Sequence, residues 1–415
     1  MAFGKPALPL WPLDPAATYL NHGTVGVTPK HVLEVQQQWR ERIERHPSRF
    51  MLRELWTFRG VTPAGPTLLR QAAAKVATFV GAETDNLVFV DNTTTGVNAI
   101  VRSLPLEPGD DLVVTDHAYG GIVSAIRYAA DRAGATVTTV NVPYPAFDPA
   151  ELVGRIRSAL TPRTRLVITD HVVSETALIF PVRQIVEACH DRGVPVLVDG
   201  AHVPGALPLD LSAIGADFYV ANLHKWAMAP RSCAFLAVLP AFQRSIHPAV
   251  ISWGFDAGFT QEFDWVGTRD PTPWLCAPDG IAFLESLGLD ALLIDTHPGL
   301  NEEALLTMRA VGTLIVVLRP DTQDFEGTGV TVQVARQLEV PRVVLIVNQV
   351  PSGGSLQAVR ARARKTFDSD VLAVIPQSTE FMGFEEDVPF VVRHPQHPVS
   401  LALQQVALAL QRAKV

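Results

Sequence analysis

Residues 197–236 read LVDGAHVPGALPLDLSAIGADFYVANLHKWAMAPRSCAFL, and this stretch decides how the rest of the chain is interpreted. It opens with an apolar run that predicts a buried β-strand ending on the carboxylate Asp199. Further along stands Lys225, with His224 and Trp226 as its neighbours. A lysine in apolar, aromatic surroundings loses hydration, so its neutral amine is accessible and can form a Schiff base with an aldehyde. A turn-capping aspartate and a solvated surface lysine are the alternative interpretation.

Pyridoxal 5′-phosphate is the usual aldehyde cofactor that proteins bind through a lysine. Its pyridine nitrogen acts as an electron sink when it stays protonated, and a carboxylate at a strand end can keep the proton there. The pattern therefore predicts that Lys225 binds this cofactor and that Asp199 meets its ring nitrogen.

The segment DGAHVPGALPLDLSAIGADFYVANLHKW, residues 199–226, resembles the class V, cysteine desulfurase-like aminotransferases of fold type I. In that family a D-x-A-H or D-x-A-Q strand end precedes an H-K pair that carries the cofactor. Within the family, the likeness is greatest to the isopenicillin N epimerase-like branch. The resemblance implies that His202 lies near the phenolic oxygen of the cofactor ring, that Asn222 and His224 reach its phosphate, and that Lys225 is its covalent anchor.

The composition restricts the classes of protein to which the chain can belong. With 415 residues, 47% hydrophobic and 18% charged, it can bury a large core and is expected to hold two domains. A net charge of −8 argues against a nucleic-acid partner, because phosphate binding needs a basic face. The apolar runs are too short for a membrane span, and the first twenty residues lack a signal pattern, so a cytoplasmic location is expected. Cys189, Cys233 and Cys276 form no CxxC pair, so neither a disulfide framework nor a metal site is expected.

The stretch DNTTTGVNAI follows a short strand predicted at residues 86–90. Small hydroxyl residues between a strand and a helix predicted to begin at Gly96 leave backbone N–H groups free, and such groups stabilise a phosphate. Thr93, Thr94 and Thr95 are therefore predicted to bind the cofactor's phosphate. A helix cap without any ligand is the alternative.

The stretch DHAYGG follows the next predicted strand, at residues 111–115. An aromatic or imidazole ring there would lie flat on the pyridine ring. His117 and Tyr119 both fit this role, and Tyr119 is favoured. From this point to residue 198, helices and strands alternate, which predicts a mostly parallel sheet with ligands at the carboxyl ends of its strands.

Other contacts come from the resemblance alone. Ser174, in HVVSET, stands where a polar side chain reaches the phenolic oxygen of the cofactor. Asn21 and His22, in a Gly- and Pro-rich N-terminal arm, are implied to lie near the substrate; an arm without function is the alternative. Thr268, in WVGTRDPTPWL, stands where a Gly-Thr pair reaches the phosphate of the neighbouring subunit, which implies a homodimer with shared active sites.

The class V resemblance covers residues 15–287 and then stops. The family's small C-terminal domain, which carries an arginine for the substrate carboxylate, does not follow. Residues 288–415 read as four apolar strands alternating with helices, and they resemble the C-terminal half of a MinD/ParA-type ATPase. DTHPG would place Asp295 at a magnesium-bound water, and VVLIVNQ would supply Asn348 to a nucleotide base. The phosphate-binding loop G-x-x-x-x-G-K-[ST] does not occur in the sequence, so a packing remnant without nucleotide is the alternative.

The sequence thus predicts an α/β protein of two domains, residues 1–287 and residues 288–415. The first is a fold type I PLP-transferase large domain, and the second is a smaller, partial P-loop NTPase-like block. The favoured function is a PLP-dependent enzyme acting on an amino acid, as an epimerase, lyase or aminotransferase. Two alternatives remain: a scaffold or fusion protein whose second block binds a nucleotide-related partner, and a PLP-binding protein with little activity. The change from the first resemblance to the second near residue 287 is equally compatible with a natural fusion, a misassembled reading frame and a deliberate chimera.

Overall fold

The structure, a computed structural model, divides the chain into two compact units, unit 1 (Met1–Gly288) and unit 2 (Leu289–Val415). The predicted boundary lies one residue before this division. The structure describes residues 5–17, 19–56, 65–144, 147–288, 304–305, 308, 311–351, 353–382 and 390–411.

A seven-stranded sheet forms the centre of unit 1. Its strands are β1 (Leu87–Val90), β2 (Asp111–Thr115), β3 (Thr136–Val140), β4 (Thr164–Asp170), β5 (Val196–Asp199), β6 (Phe218–Asn222) and β7 (Ala234–Val238). They lie in the order β1-β7-β6-β5-β4-β2-β3. Only β7 runs antiparallel, to both β6 and β1, so the predicted mostly parallel sheet is confirmed. Most strands are continuous apolar runs because helices cover both faces of such a sheet.

Helices of unit 1 alternate with strands β1 to β6, and further helices precede β1 and follow β7. They are α1 (His22–Val25), α2 (Lys30–Arg45), α3 (Pro47–Arg49), α4 (Leu68–Val80), α5 (Thr93–Ser103), α6 (Gly120–Ala133), α7 (Pro149–Ala159), α8 (Val182–His190), α9 (Leu211–Ile214), α10 (Pro240–Gln243), α11 (Phe259–Asp264), α12 (Thr272–Leu275) and α13 (Ala277–Ser286). Short 3-10 turns at Lys5–Leu10 and Thr84–Asn86 and a π-helical turn at Phe50–Glu54 complete the unit.

The start of α5 differs from the sequence expectation. The helix begins at Thr93, not at Gly96, because the side chain of Asn92 caps it. Asn92 Oδ1 accepts a hydrogen bond from the Thr95 backbone N–H at 2.8 Å and so satisfies one of the helix's unpaired amides. The threonines predicted to lie in a loop therefore form the first turn of the helix.

Polar residues end three neighbouring parallel strands of unit 1. Asp170 is the last residue of β4, Asp199 of β5 and Asn222 of β6, and all three are buried. The register of β4 and β5 pairs Asp170 directly with Asp199. Because parallel strands end at the same edge of a sheet, these side chains gather at one place.

Unit 2 contains a three-stranded parallel sheet. Its strands are β8 (Leu314–Leu318), β9 (Val343–Val350) and β10 (Asp370–Pro376), in the order β10-β9-β8. Its helices are Thr322–Gln337, Leu356–Phe367, Thr379–Met382, Phe390–Arg393 and Pro398–Gln411. These are three of the four predicted strands; the fourth, with Asp295, lies outside the described residues. Asn348 lies within β9, where its Oδ1 accepts a hydrogen bond from the Gln349 N–H at 2.9 Å. The MinD/ParA resemblance stays a prediction.

Across the described segments of both units, no helix is long and apolar enough to cross a membrane.

Candidate active site

A cavity of about 240 Å³ lies at the carboxyl ends of β4, β5 and β6. The predicted site residues that line it are Thr93, Thr94, Tyr119, Ser174, Asp199, His202, Asn222, His224 and Lys225. The lining residues that sequence reasoning missed are Thr24, Asn92, Asp170, Val172 and Ala201. The cavity therefore brings together residues from both ends of unit 1, as far apart in sequence as Thr24 and Lys225.

The amine of Lys225 lies within this cavity, 3.1 Å from Nε2 of His202. Burial lowers the pKa of the Lys225 amine, while the charge of Asp199 partly opposes that shift. Burial, with the nearby Lys225 charge, also lowers the pKa of His202 to about 4. His202 is therefore neutral at pH 7 and can accept a hydrogen bond from the lysine. The neutral amine of a lysine is the form that attacks a carbonyl carbon, and a lowered pKa increases the fraction of that form.

Asp199 is a buried carboxyl group that lines the cavity. Burial raises its pKa to about 6, and the N–H of Ala201, which donates to Asp199 Oδ1 at 2.9 Å, partly offsets the shift. Gly200 follows it, and the lack of a side chain there is required: a Cβ would lie 2.3 Å from the hydroxyl of Tyr219. A carboxylate that is shielded from water is strongly stabilised by a cationic partner.

The first turn of α5 also faces the cavity, through Thr93 and Thr94. Asn222 Oδ1 accepts the N–H of Thr93 at 3.1 Å, and Asn92 takes the N–H of Thr95. For the N–H of Thr94, in between, no described group is an acceptor. That amide and the positive end of the helix dipole make this turn a place for an anion. Thr95 does not itself line the cavity, because its hydroxyl bonds back to Asn92 at 3.1 Å.

His224 stands beside this turn with one ring nitrogen already engaged. Its Nδ1 donates to the carbonyl oxygen of Cys233 at 2.9 Å, which leaves Nε2 for the cavity. Burial lowers the pKa of His224, so the ring is neutral unless an anion binds next to it.

The N-terminal segment packs directly on the lysine loop. His22 Nε2 donates to the backbone oxygen of Lys225 at 2.8 Å. Gly26, with φ of +70°, lies so close that a Cβ would collide with the carbonyl oxygen of His224. Thr24 is the residue of this segment that lines the cavity, whereas Asn21 instead accepts a hydrogen bond from the Thr24 hydroxyl at 2.5 Å.

His117 and Thr268 also lie away from the cavity wall. His117 turns aside, with Nδ1 2.9 Å from Asp116 Oδ1 and its ring against Tyr144, while Tyr119 lines the cavity. Thr268 lines a separate surface cavity of about 1000 Å³ next to α2. Thr268 thus lies on the surface of unit 1, apart from the cavity that holds Lys225.

The comparisons with known proteins identify the family of the chain. Residues 57–291 match the family profile described as "Aminotransferase class-V". The chain is also 34% identical over 333 residues to isopenicillin N epimerase from Streptomyces clavuligerus, covering 76% of this chain and 80% of that protein.

The chain belongs to the class V aminotransferase family. A second member of this family, "Probable L-cysteine desulfhydrase, chloroplastic" from Arabidopsis thaliana, is 31% identical over 72% of this chain. That alignment spans 65% of the Arabidopsis protein. A solved structure, a lysine-to-alanine mutant of C-DES with glycine covalently linked to its PLP cofactor, has a TM-score of 0.56. It is 22% identical and covers 70% of this chain and 74% of its own, so it shows the shared α/β fold.

Class V aminotransferases depend on pyridoxal 5′-phosphate, which is the cofactor of this chain. The residues present fit that group: an amine of lowered pKa, a buried carboxyl group and an unsatisfied amide at a helix start all face one cavity. In the segments that the structure describes, no three His, Cys, Asp or Glu side chains gather as a metal site would require.

The alignment with the epimerase bears on where the class V likeness ends. Unit 1 ends at Gly288 of the 415 residues, so an alignment over 76% of the chain extends beyond unit 1. The alignment with this relative therefore extends past the predicted limit near residue 287, whereas the family profile ends at residue 291.

Proposed function

We propose that the chain is a PLP-dependent enzyme that acts on an amino acid and anchors its cofactor covalently at Lys225. One observation carries this proposal: the Lys225 amine, the buried Asp199 carboxyl group and the first turn of α5 share one cavity of about 240 Å³. These three features match the aldehyde, the ring nitrogen and the phosphate of a single small molecule.

Several of the lining residues then have roles that their positions support. When bound, the cofactor supplies an electron sink for charge that develops at the substrate's α-carbon. Asp199 holds a proton on the ring nitrogen, and the N–H of Thr94, the hydroxyl of Thr93 and Nε2 of His224 bind the phosphate. Tyr119 covers one face of the ring, with Ala201 on the cavity wall. After substrate binds, the freed Lys225 amine removes or returns the α-proton, with His202 as its neutral hydrogen-bond partner.

The burial of the three cysteines limits which reactions of the family the chain is expected to catalyse. Cys189, Cys233 and Cys276 are all buried, and burial raises the pKa of each thiol. A sulfur-accepting nucleophile must be an accessible thiolate, so we disfavour cysteine-based desulfurase chemistry. Epimerase, lyase and aminotransferase reactions can all begin with removal of the α-proton and need no cysteine nucleophile, so these three types stay open. A cytoplasmic location also stays a prediction, since one relative is named as chloroplastic.

Borohydride treatment of the protein tests the proposal most directly. Full-length protein incubated with pyridoxal 5′-phosphate should absorb near the edge of the visible range, and reduction should fix the cofactor covalently on the peptide that contains Lys225. Peptide mass mapping that finds the adduct on another lysine, or no adduct, would refute the proposed anchor.

We further propose a homodimer in which Thr268 faces the partner's site. The surface of unit 1 supports this with large apolar side chains that are half exposed or more, namely Val250, Ile251, Trp253 and Phe255. Such a patch is typical of a protein interface. Light scattering of the eluted protein should give twice the chain mass. A monomer that still binds the cofactor at Lys225 would contradict the shared site.

The alternative function, nucleotide binding by unit 2, draws on its parallel α/β sheet. We predict no binding of MgATP in the micromolar range and no hydrolysis above background, because no phosphate-binding loop is present in the sequence. Calorimetry on the full-length protein measures this. Micromolar affinity that is lost on replacing Asp295 or Asn348 by alanine would favour the alternative.

Substrate recognition gives a further prediction. The residues that line the cavity in the described chain include no arginine. Because a two-pronged arginine contact to a carboxylate contributes about 10- to 100-fold in affinity, we expect less than about a 10-fold preference for an amino acid over its decarboxylated amine. Steady-state kinetics with such pairs measure the ratio. A different result would be a strong preference for the amino acid that is lost when one arginine after residue 288 is replaced. That result would show that unit 2 supplies the missing contact.

A further inference from the structure

Asp170 is a second buried carboxyl group that lines the cavity. It ends β4, retains only 3% of its exposure and lines the cavity beside Asp199. The strand register pairs the two residues directly. Neighbouring parallel strands lie about 4.8 Å apart and point paired side chains to the same face, so the two carboxyl groups are immediate neighbours. Neither the family resemblance nor the proposed roles above use Asp170.

The groups around this pair leave little positive charge to balance two carboxylates. Lys225 and His202 face the pair from the loops, and burial keeps His202 neutral, with its pKa lowered to about 4. Behind the pair, the hydroxyl of Tyr219 on β6 lies 2.9 Å from Nδ1 of His171. Burial raises the pKa of Tyr219 and lowers that of His171 to about 4, so both are neutral at pH 7.

The two carboxyl groups are not equally supplied with hydrogen bonds. Asp199 receives the N–H of Ala201 and is attracted to the charge of Lys225. Among the described residues, only its own backbone amide donates to Asp170. Burial and the charge of Asp199 raise the pKa of Asp170 well above its usual range. Two buried carboxyl groups side by side cannot both ionise without a large cost, and the less supported one keeps its proton.

We propose that Asp170 is a positioning residue, a protonated carboxylic acid that donates its hydrogen bond to the Asp199 carboxylate. The pair then carries one negative charge, which matches the single positive charge of a protonated ring nitrogen. Asp170 also fixes the orientation of Asp199, since an acid that donates to a carboxylate stabilises its charged form. This inference rests on the proposed function for the role of Asp199 toward the cofactor, but the shared proton itself does not.

Infrared spectra of the full-length, cofactor-free protein test the proton. At a pH of about 8, groups whose pKa lies near 6 have lost their protons, so the carbonyl band of a buried carboxylic acid should come from Asp170. Asp170→Asn should remove this band. Asp217→Asn, at another buried aspartate, which bonds to the Val196 N–H and His190, should leave it. A band that persists in Asp170→Asn, or is absent from the unaltered protein, would overturn the proposal.

Cofactor binding tests the positioning role. The amide of Asp170→Asn can still donate to Asp199, so this variant should bind pyridoxal 5′-phosphate within about 3-fold of the unaltered protein at pH 7. Asp170→Ala has no donor and should bind at least about 10-fold more weakly, with a shifted pH dependence of the bound cofactor's absorbance. Equal binding by the alanine variant would overturn the role. If instead no adduct forms at Lys225 in any variant, the proposed function fails while the infrared result still stands or falls by itself.

Discussion

Lys225→Ala should abolish the covalent cofactor adduct and lower amino-acid turnover by roughly 10⁴-fold, the upper range for loss of a general acid–base group. In the proposed mechanism this amine has two functions, since it anchors the cofactor and then transfers the α-proton. No other lysine lines the cavity, so within the described chain no neighbour can replace it. Borohydride reduction followed by peptide mapping measures the first loss, and turnover under saturating cofactor measures the second.

The matched control for this variant is Lys30→Ala. Lys30 is exposed at the start of α2 and outside the cavity, so its removal should leave both the adduct and the turnover unchanged. If Lys225→Ala kept a reducible adduct, or lost less than about 10-fold in turnover, another group would be the anchor and the proton carrier.

Asp199→Asn should have the next largest effect, a loss in turnover on the order of 10²- to 10³-fold. The amide has the shape of the carboxylate but no charge, so it cannot hold a proton on the ring nitrogen and the electron sink is weakened. The adduct at Lys225 should still form, more weakly and with a shifted absorbance. This separates the electronic role of Asp199 from the anchoring role of Lys225.

Asp217→Asn serves as the control for Asp199→Asn, because it removes the charge of a comparably buried aspartate that does not line the cavity. It should reduce stability without changing the absorbance of the bound cofactor. Unchanged turnover and absorbance in Asp199→Asn would mean that this carboxyl group does not meet the cofactor.

Five of the seven strands in the unit 1 sheet could be predicted from sequence to within about two residues, whereas β6 and β7 were not predicted as strands. Its apolar runs are short, continuous and bounded by Gly, Pro and polar residues, and β2 and β3 begin and end where the pattern predicts. The predicted start of α5 was wrong because the three threonines, residues 93–95, were taken as a loop before the helix. An asparagine three residues before Thr95 is a capping signal that could have corrected it.

The site was predicted only in part, because sequence order does not give strand order. Asp170 stands at a strand end before HVVSET and has the same signature as Asp199. Its importance depends on β4 lying beside β5 in the sheet, which no local pattern fixes. Likewise, Asn21 and His22 were expected near the substrate, but which residue of the N-terminal segment lines the cavity depends on how the segment packs, and the structure has Thr24 there.

The hydrogen bond from His22 to the backbone of Lys225 has a consequence for the order of folding. It joins residues 203 positions apart in the chain. Contacts of such long range close a large loop at high entropic cost and tend to form late, after local helices and strand pairs. During synthesis the N-terminal segment emerges first, yet it has no lysine loop to dock on until β6 and the residues after it have folded. The sheet can therefore assemble before the lysine loop is held in place, and we expect the proposed anchor to capture the cofactor only after the N-terminal segment has docked.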